Sequence, residues 1–344
     1  MEAAPPVTLL LPNRDNAPVL DLVLERIAAN TRYENFELLV VDDGSTDGSL
    51  EILRRWRDSG RIPDFRLMER AHTGGVVDAL NAGLEAATGE LVVQLDGDAS
   101  METEGWLGKM VDFFRSDERI GVVTGKIVFD WGAMHTCGVD VVGPEGFHDR
   151  GASITEPVGR RGYHQRVVRR EEDDCPTCDS IAEVDGGIGC CMMFRRDVAL
   201  ELGGYDPGWA PVWFDDLDLT LCIRRHGLKV FYLPQVRVVH HVGRRLEDAP
   251  SPKRALTRMR KRLGKTLPPE TRSRISRSLN LDRPPRSSWK RLEHHYAYWR
   301  EKWGFDMLNP DMDAVLERWG GTEVCWRYDT EMREAGERIA AAYR

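Results

Sequence analysis

The feature that most constrains this chain is a regular alternation, over its first hundred residues, of short apolar runs with longer amphipathic stretches. Residues 7–11 form an apolar run of buried-strand type, and a loop follows over residues 12–16. Pro18 opens an amphipathic stretch that reaches Asn30, with Asn16 or Ala17 near its cap. The pattern then repeats: strand at 36–41, helix at 50–56, strand at 65–68, helix at 76–87 and a fourth strand at 90–95. Strands alternating with such helices build βαβ units and a mainly parallel sheet, so an α/β fold is expected. Sheets of this kind bind ligands beyond the carboxyl ends of their strands. Three of those ends carry polar or acidic clusters, Asn13-Arg14-Asp15, Asp42-Asp43 and Asp96-Gly97-Asp98, which should open on one edge.

The order weakens after a strand at 121–129. Residues 140–180 hold glycines and the run Arg169-Arg170-Glu171-Glu172-Asp173-Asp174, which reads as a long loop or lid. Strand pattern returns at 188–195, followed by a helix to Leu202, the turn Gly203-Gly204-Tyr205-Asp206, a helix near 217–226, and strands at 229–233 and 236–240. Past Pro250 the chain reads as a mostly helical, basic extension, interrupted at Pro268-Pro269 and Pro284-Pro285. Aromatic clusters at 295–303 and 319–328 are expected to anchor it.

The formal net charge of −8 hides an asymmetry, because residues 252–302 carry 16 Lys/Arg against four acids. That segment suits an anionic partner such as a membrane surface, or simply a solvated helical face. It contains no recognisable nucleic-acid motif, so nucleic acid is not the expected partner. No stretch reaches the roughly 20 apolar residues of a membrane span. The start MEAAPPVTLLLPNRD lacks the basic opening of a signal peptide. The seven cysteines are odd in number and follow no framework spacing, which fits a reducing compartment. A cytoplasmic protein, with contact at the inner face of the membrane, is the expectation.

Four constellations can carry chemistry. Asp96-Gly97-Asp98 places two carboxylates at a strand end, where they can hold a hard divalent cation beside phosphates, or merely shape an acidic turn. In residues 40–47 (VVDDGSTD) a carboxylate can accept the imide N–H of uracil or thymine, while Ser45 or Asp47 can cap the following helix. Trp213-Phe214-Asp215-Asp216 sets adjacent carboxylates at a helix start, as a general base or as partners of the helix dipole. His240-His241 at a strand end offers imidazole to a transition metal, or simply packs.

Their order and spacing resemble the family 2 glycosyltransferases, which have the GT-A fold. The resemblance is carried by VTLLLPN at residues 7–13, LVVDDGSTD at 39–47, HTGGVVDALNAGL at 72–84 and GELVVQLDGD at 89–98. It continues in RRDVALELGGYDP at 195–207, FDDLDLTLCIRRHG at 214–227 and YLPQVRVVHH at 232–241. It implies a GT-A-type, mainly parallel sheet flanked by helices over residues 1–245, with a nucleotide-sugar half (1–130), an acceptor half (131–245) and a helical extension over 246–344.

The resemblance also implies roles. Pro12 and Arg14 would flank the nucleotide base, and Asp43 would bond to it, with Gly74 and Gly97 also on the donor side. Asp96 would face the ribose and metal, Asp98 would be the main ligand of Mn2+ or Mg2+, and His240 would complete the metal site. Asp216 would be the catalytic base with Asp215 its rival, and Gly187 and Trp213 would sit beside the acceptor. The implied reaction moves a sugar from a UDP- or dTDP-sugar to the hydroxyl of a glycan, lipid-linked or other acceptor, with inversion, in polysaccharide or glycoconjugate assembly. This sequence departs from the family in His72-Thr73-Gly74 for the commoner Asn-x-Gly, in Leu80-Asn81 for Arg-Asn, and in Asp215 for Glu.

Other classes fit less of the chain. Residues 11–15 are not the glycine-rich basic loop of a nucleotidyltransferase, and no G-x-G-x-x-G follows a strand as a dehydrogenase requires. A non-catalytic protein docking nucleic acid or a membrane through its basic segment is the alternative from another class, but the aromatics of that segment read as packing anchors. His135-x-Cys137 with Cys175-x-x-Cys178 has the ligand types of a zinc site, with free thiols the expected alternative.

Overall fold

The computed structural model describes residues 4–72, 75–140, 148–149, 152–157, 165–169, 172–241 and 286–304. Its first part follows the alternation: β1 (Val7–Asn13), α1 (Ala17–Asn30), β2 (Phe36–Asp43), α2 (Ser49–Ser59), β3 (Phe65–Arg70), α3 (Val76–Ala86) and β4 (Leu91–Leu95). Next come β5 (Ala99–Met101), α4 (Trp106–Phe114), β6 (Ile120–Phe129), β7 (Met134–Thr136) and the short strands β8 (Val139–Asp140), β9 (His148–Asp149), β10 (Ala152–Pro157) and β11 (Gln165–Arg169). The fold continues through β12 (Ala182–Val184), β13 (Cys191–Arg195), α5 (Arg196–Glu201), α6 (Asp215–Arg225) and β14 (Lys229–His240), and α7 (Arg286–Trp303) is the last described element.

The main sheet runs β12-β14-β6-β13-β4-β1-β2-β3. β1, β2, β3 and β4 pair in parallel, as do β6 and β14. β13 enters antiparallel between β4 and β6. The mainly parallel sheet flanked by helices is therefore the GT-A-type architecture. Because β13 is reversed, its start at Cys191 lies opposite Leu95, at the same edge as the carboxyl ends of β1, β4 and β14.

Period-two alternation divides the strand residues between two cores. Leu9, Leu11, Leu38, Val40 and Val93 pack with α1, α2 and α4, whose contributions include Leu20, Trp56 and Phe113. Leu10, Leu39, Val41 and Val92 face the other way, toward Leu80 of α3, Leu221 of α6, and Trp299 and Trp303 of α7. In α1 the buried residues Val19, Leu20, Val23, Leu24 and Ile27 recur at helical spacing. Each contributes about 1.5–3 kcal/mol of burial as an upper bound.

Several local expectations are corrected. The loop expected over 140–180 contains two antiparallel ladders, β8–β9 and β10–β11. The two strands expected at 229–233 and 236–240 are one strand, β14, whose pairing with β6 shifts register between Leu233 and Arg237. Pro234 cannot donate to the ladder, and a bulge at that point absorbs it. Cys175 and Cys178, expected as free thiols, form a disulfide, with the Cys137 sulfur 3.1 Å from that of Cys178.

The part of the basic segment over residues 252–285 lies outside the described residues. Within α7, Lys302 is an anchor, its ammonium 2.5 Å from Asp206 and 2.7 Å from the buried Asp218. Trp303 donates its indole N–H to the same Asp218 at 2.9 Å, and Tyr298 donates to Asp206 at 2.8 Å. Trp299 packs 6.1 Å from both Trp209 and Phe214, so α7 rests on the loop that leads into α6.

Candidate active site

The strand order reverses direction beside β1: the chain moves from β1 to β2 on one side, and β4 lies on the other. A crevice at such a switch point is where an α/β sheet offers a ligand the ends of two strands. Here β1 supplies Asn13 and β4 runs into Asp96-Gly97-Asp98. Gly97 is required by proximity, since a Cβ on it would lie 2.5 Å from the Asn16 amide nitrogen and 3.1 Å from the Asn13 amide oxygen. The acidic turn is thereby pressed onto the end of β1.

The two aspartates of the second constellation have different partners. Asp42 is tied inward, accepting from the Asn13 side chain at 2.7 Å and from the Ser45 hydroxyl at 2.6 Å. Asp43 meets His72 Nδ1 at 2.6 Å and the Arg14 guanidinium at 3.8 Å, and Arg14 also contacts His72. Asp47 serves the start of α2, accepting from the Ser49 N–H at 3.1 Å. Pro12 lies in β1, paired with Val41. Gly74 is outside the described residues.

Asp96, Asp98 and His240 converge. Their ligand atoms lie within 4.8 Å of one another, and His240 Nε2 is 3.1 Å from Asp98 Oδ1 and 4.0 Å from Asp96 Oδ2. β5 makes this possible, because Ala99 directly after Asp98 pairs with His240. The His241 N–H donates to the Asp98 carbonyl at 2.7 Å and locks the two segments together. Two carboxylates and an imidazole suit a divalent cation such as Mn2+ or Mg2+, in number and in ligand type.

Asp216 lies at the start of α6. Its carboxylate accepts from the Gly189 N–H at 2.8 Å and the Leu217 N–H at 2.7 Å. Burial pushes its pKa up to about 6 against the pull of those two bonds, and the charge of Asp96 adds to the rise. Asp215 turns away to the Trp213 N–H at 3.0 Å. Burial, and then the charge of Asp216, hold its carboxyl well above the usual range. Trp213 and Phe214 both have positive φ, 89° and 66°, a conformation costly for bulky residues and concentrated at functional sites. Gly187 packs against Thr124 and Met192. A Cβ on Gly189 would strike the Gln94 side chain, which is held by the Tyr205 hydroxyl at 2.7 Å.

Two residues join this site without having been assigned to it from sequence. The Cys190 thiol donates to Asp96 Oδ2 at 2.9 Å, and its sulfur is 3.6 Å from His240 Nδ1. Burial first, and then Asp96, push this thiol well above the ordinary range. His135 Nδ1 lies 3.2 Å from His240 Nδ1. The four candidate zinc ligands noted in the sequence are thus divided: His135 belongs with His240, away from the three cysteines. The nearness of Cys190 to Gly186-Gly187-Ile188-Gly189 was the only sequence signal for it.

The family profile described as glycosyl transferase family 2 matches residues 8–203, more than half of the chain. The chain belongs to glycosyl transferase family 2. Among the relatives of this family 2 chain, protein y4gI of Sinorhizobium fredii is 30% identical over 253 residues, which are 73% of this chain and 26% of that protein. The glucosyl-dolichyl phosphate glucuronosyltransferase of Haloferax volcanii is 29% identical over 223 residues, 63% of this chain and 62% of its own. The family 2 chain therefore spans less than two thirds of the length of either relative. Among solved structures, that of GalNAc-T7 with UDP, GalNAc and Mn2+ superposes with a TM-score of 0.52 at 14% identity, covering 93% of this chain and 59% of that one. That likeness is one of fold.

Proposed function

We propose that this family 2 glycosyltransferase moves a sugar from a UDP- or dTDP-sugar to an acceptor hydroxyl by a single inverting displacement that depends on a divalent cation. The observation that carries the reading is the meeting of Asp96, Asp98 and His240 at the same sheet edge as Asp43. In it, Asp43 accepts the imide N–H of the pyrimidine base, with Pro12 and Arg14 beside the ring, and Gly74 belongs to the donor side. Asp98, Asp96 and His240 hold Mn2+ or Mg2+. When bound, such an ion neutralises the charge that develops on the departing diphosphate. Asp216 takes the proton of the acceptor hydroxyl, which attacks the anomeric carbon opposite the leaving group.

Asp216 is favoured over Asp215 because Asp215 is buried and turned to Trp213. Trp213 and Gly187 are assigned to the acceptor side. The acceptor class is a glycan or lipid-linked sugar in glycoconjugate assembly, in keeping with the glucosyl-dolichyl phosphate in the name of the Haloferax relative.

The test combines nucleoside-diphosphate release with a thermal-shift screen of nucleotide sugars, with and without Mn2+. A donor at about 100 times its Kd raises stability by about 2.7 kcal/mol. Release of UDP or dTDP that stops in chelator and in Asp98→Ala, without rescue by added Mn2+, is expected. Full turnover in chelator would overturn the cation requirement, and an active Asp216→Asn would overturn the base.

A further inference from the structure

His240 presents its two ring nitrogens to two different sets of ligands. Nε2 faces the carboxylates, 3.1 Å from Asp98 Oδ1. Nδ1 faces the other way, 3.2 Å from His135 Nδ1 and 3.6 Å from Cys190 Sγ. The ligand atoms of His135, Cys190 and His240 all lie within 4.8 Å of one another. A tetrahedral zinc ion, with bonds of about 2.05 Å to nitrogen and 2.3 Å to sulfur, sets its ligands about 3.3 Å apart for N···N and about 3.6 Å for N···S. The two separations at Nδ1 match both values.

We infer that His135, Cys190 and His240 form a second cation site, selective for a soft, zinc-like ion, behind the carboxylate site and sharing its imidazole. Two imidazoles and a thiolate prefer Zn2+ over Mg2+ or Mn2+, whereas the carboxylate side prefers the harder ions. Cys190 is buried and His135 and His240 are half-buried, so the cluster has one covered wall and is reached from the side of the two imidazoles. The ring of Phe129 stacks 4.6 Å from His135 and 6.1 Å from His240, fixing both imidazole planes.

Binding releases the Cys190 proton to solvent and ends its hydrogen bond to Asp96. Because a neutral imidazole has one free nitrogen lone pair, an ion on Nδ1 leaves the ring proton on His240 Nε2, which then donates to Asp98 and no longer serves as a ligand on the carboxylate side. Soft-ion binding is therefore coupled to the carboxylate site through two of its three members, and it inhibits Mn2+-supported transfer. This coupling rests on the proposed function, whereas the site itself does not.

Cobalt(II) is the probe, because a thiolate ligand gives it a charge-transfer band that nitrogen and oxygen ligands do not. The full chain carrying Cys137→Ser, Cys175→Ser and Cys178→Ser removes the other cysteine cluster. Titrated with Co2+, it should develop the thiolate band to a plateau at one equivalent, and Zn2+ should bleach it. Adding Cys190→Ser should abolish the band. His135→Ala should weaken zinc binding by more than the roughly 10–100-fold cost of losing a mere supporting contact.

Absence of the band, or its survival in the Cys190→Ser protein, would overturn the site. If the triple background does not fold, the difference in cobalt spectrum between the wild-type chain and Cys190→Ser alone decides the same question. Zinc inhibition is then measured for each protein relative to its own Mn2+-supported rate. Inhibition that Cys190→Ser relieves supports the coupling, and a cobalt-positive site with no inhibition by zinc overturns it. The cobalt spectrum needs no donor sugar, so a chain that transfers nothing would defeat the proposed function and leave the cation site fully testable.

Discussion

Replacing Gly97 with alanine tests how the acidic turn is held. Gly97 does not have positive φ, so alanine meets no backbone penalty there and the effect is purely one of space. The new Cβ would sit 2.5 Å from Asn16 Nδ2, about 1 Å inside van der Waals contact. Two relaxations are open. The Asn16 amide can swing aside, abandoning its 3.1 Å bond to Asn13 Oδ1 at a cost of about 1–3 kcal/mol for a buried polar group. Alternatively, the turn can lift by about 1 Å, carrying Asp96 and Asp98 away from His240, and a displacement of that size can cost about 100-fold in rate.

The expected outcome for Gly97→Ala is thus a folded protein with weaker apparent Mn2+ affinity and kcat/KM reduced by about 10–100-fold. The assay is nucleotide release over a Mn2+ titration. The second-site control is Asn16→Ala, which removes the colliding amide. The double variant should return to the rate of Asn16→Ala alone. Wild-type Mn2+ dependence in Gly97→Ala, or a double variant as impaired as the single one, would refute the packing explanation.

Other outcomes follow from the same contacts. Since Asp216 is lifted to about 6 and the proposed base must be ionised to take a proton, kcat/KM should rise with pH through that value, and a flat profile down to pH 5 would contradict the proposed role. The stability effect has the opposite sign: the folded state holds this proton more tightly than the unfolded chain, so the Asp216 contribution weakens as pH climbs from about 4 to 6. Glu37 behaves in the usual carboxylate way. Burial pushes it up, but bonds from Thr8, Arg66 and Thr88 hold it below 4.5 overall, so its stabilisation is present above that pH and fades as pH falls through the lowered value. Glu37→Gln should flatten that acid limb in a plot of Tm against pH. Lys302→Met leaves the buried Asp218 without its cation; because Lys302 is partly exposed, the loss is about 2 kcal/mol, or about 4–8 °C in Tm, by calorimetry.

The parallel half of the fold was readable because each strand and helix there announces itself locally. Pro18 stands in the first turn of α1, and residues 38–41 send alternate side chains to opposite cores. The strand-end carboxylates were readable for the same reason, since a strand's carboxyl end is a position in sequence as much as in space. Cys190 and His135 were not assigned to the site, because their place depends on pairings made far away in the chain. Cys190 reaches Asp96 only through the antiparallel register that sets Cys191 opposite Leu95. His135 and Cys137 look like one ligand pair, yet β7 ends at Thr136 and Gly138 turns with φ 97°, so strand periodicity no longer governs where Cys137 lies. The start of α6 was assigned, but sequence did not distinguish the surroundings of Asp215 from those of Asp216, which follow from the backbone of Trp213 and Phe214.

The pairing of β5 with β14 has a consequence for how the molecule comes into being. Asp96 and Asp98 leave the ribosome well over a hundred residues before His240, and the first four parallel strands can assemble from what has already emerged. His240 joins them only when β14 docks against β5 and β6. Such long-range closure is slow compared with local βα assembly. A growing chain therefore holds the two carboxylates without their imidazole partner for much of its synthesis, and the meeting of all three side chains reports that β14, the last described strand, has been laid in place.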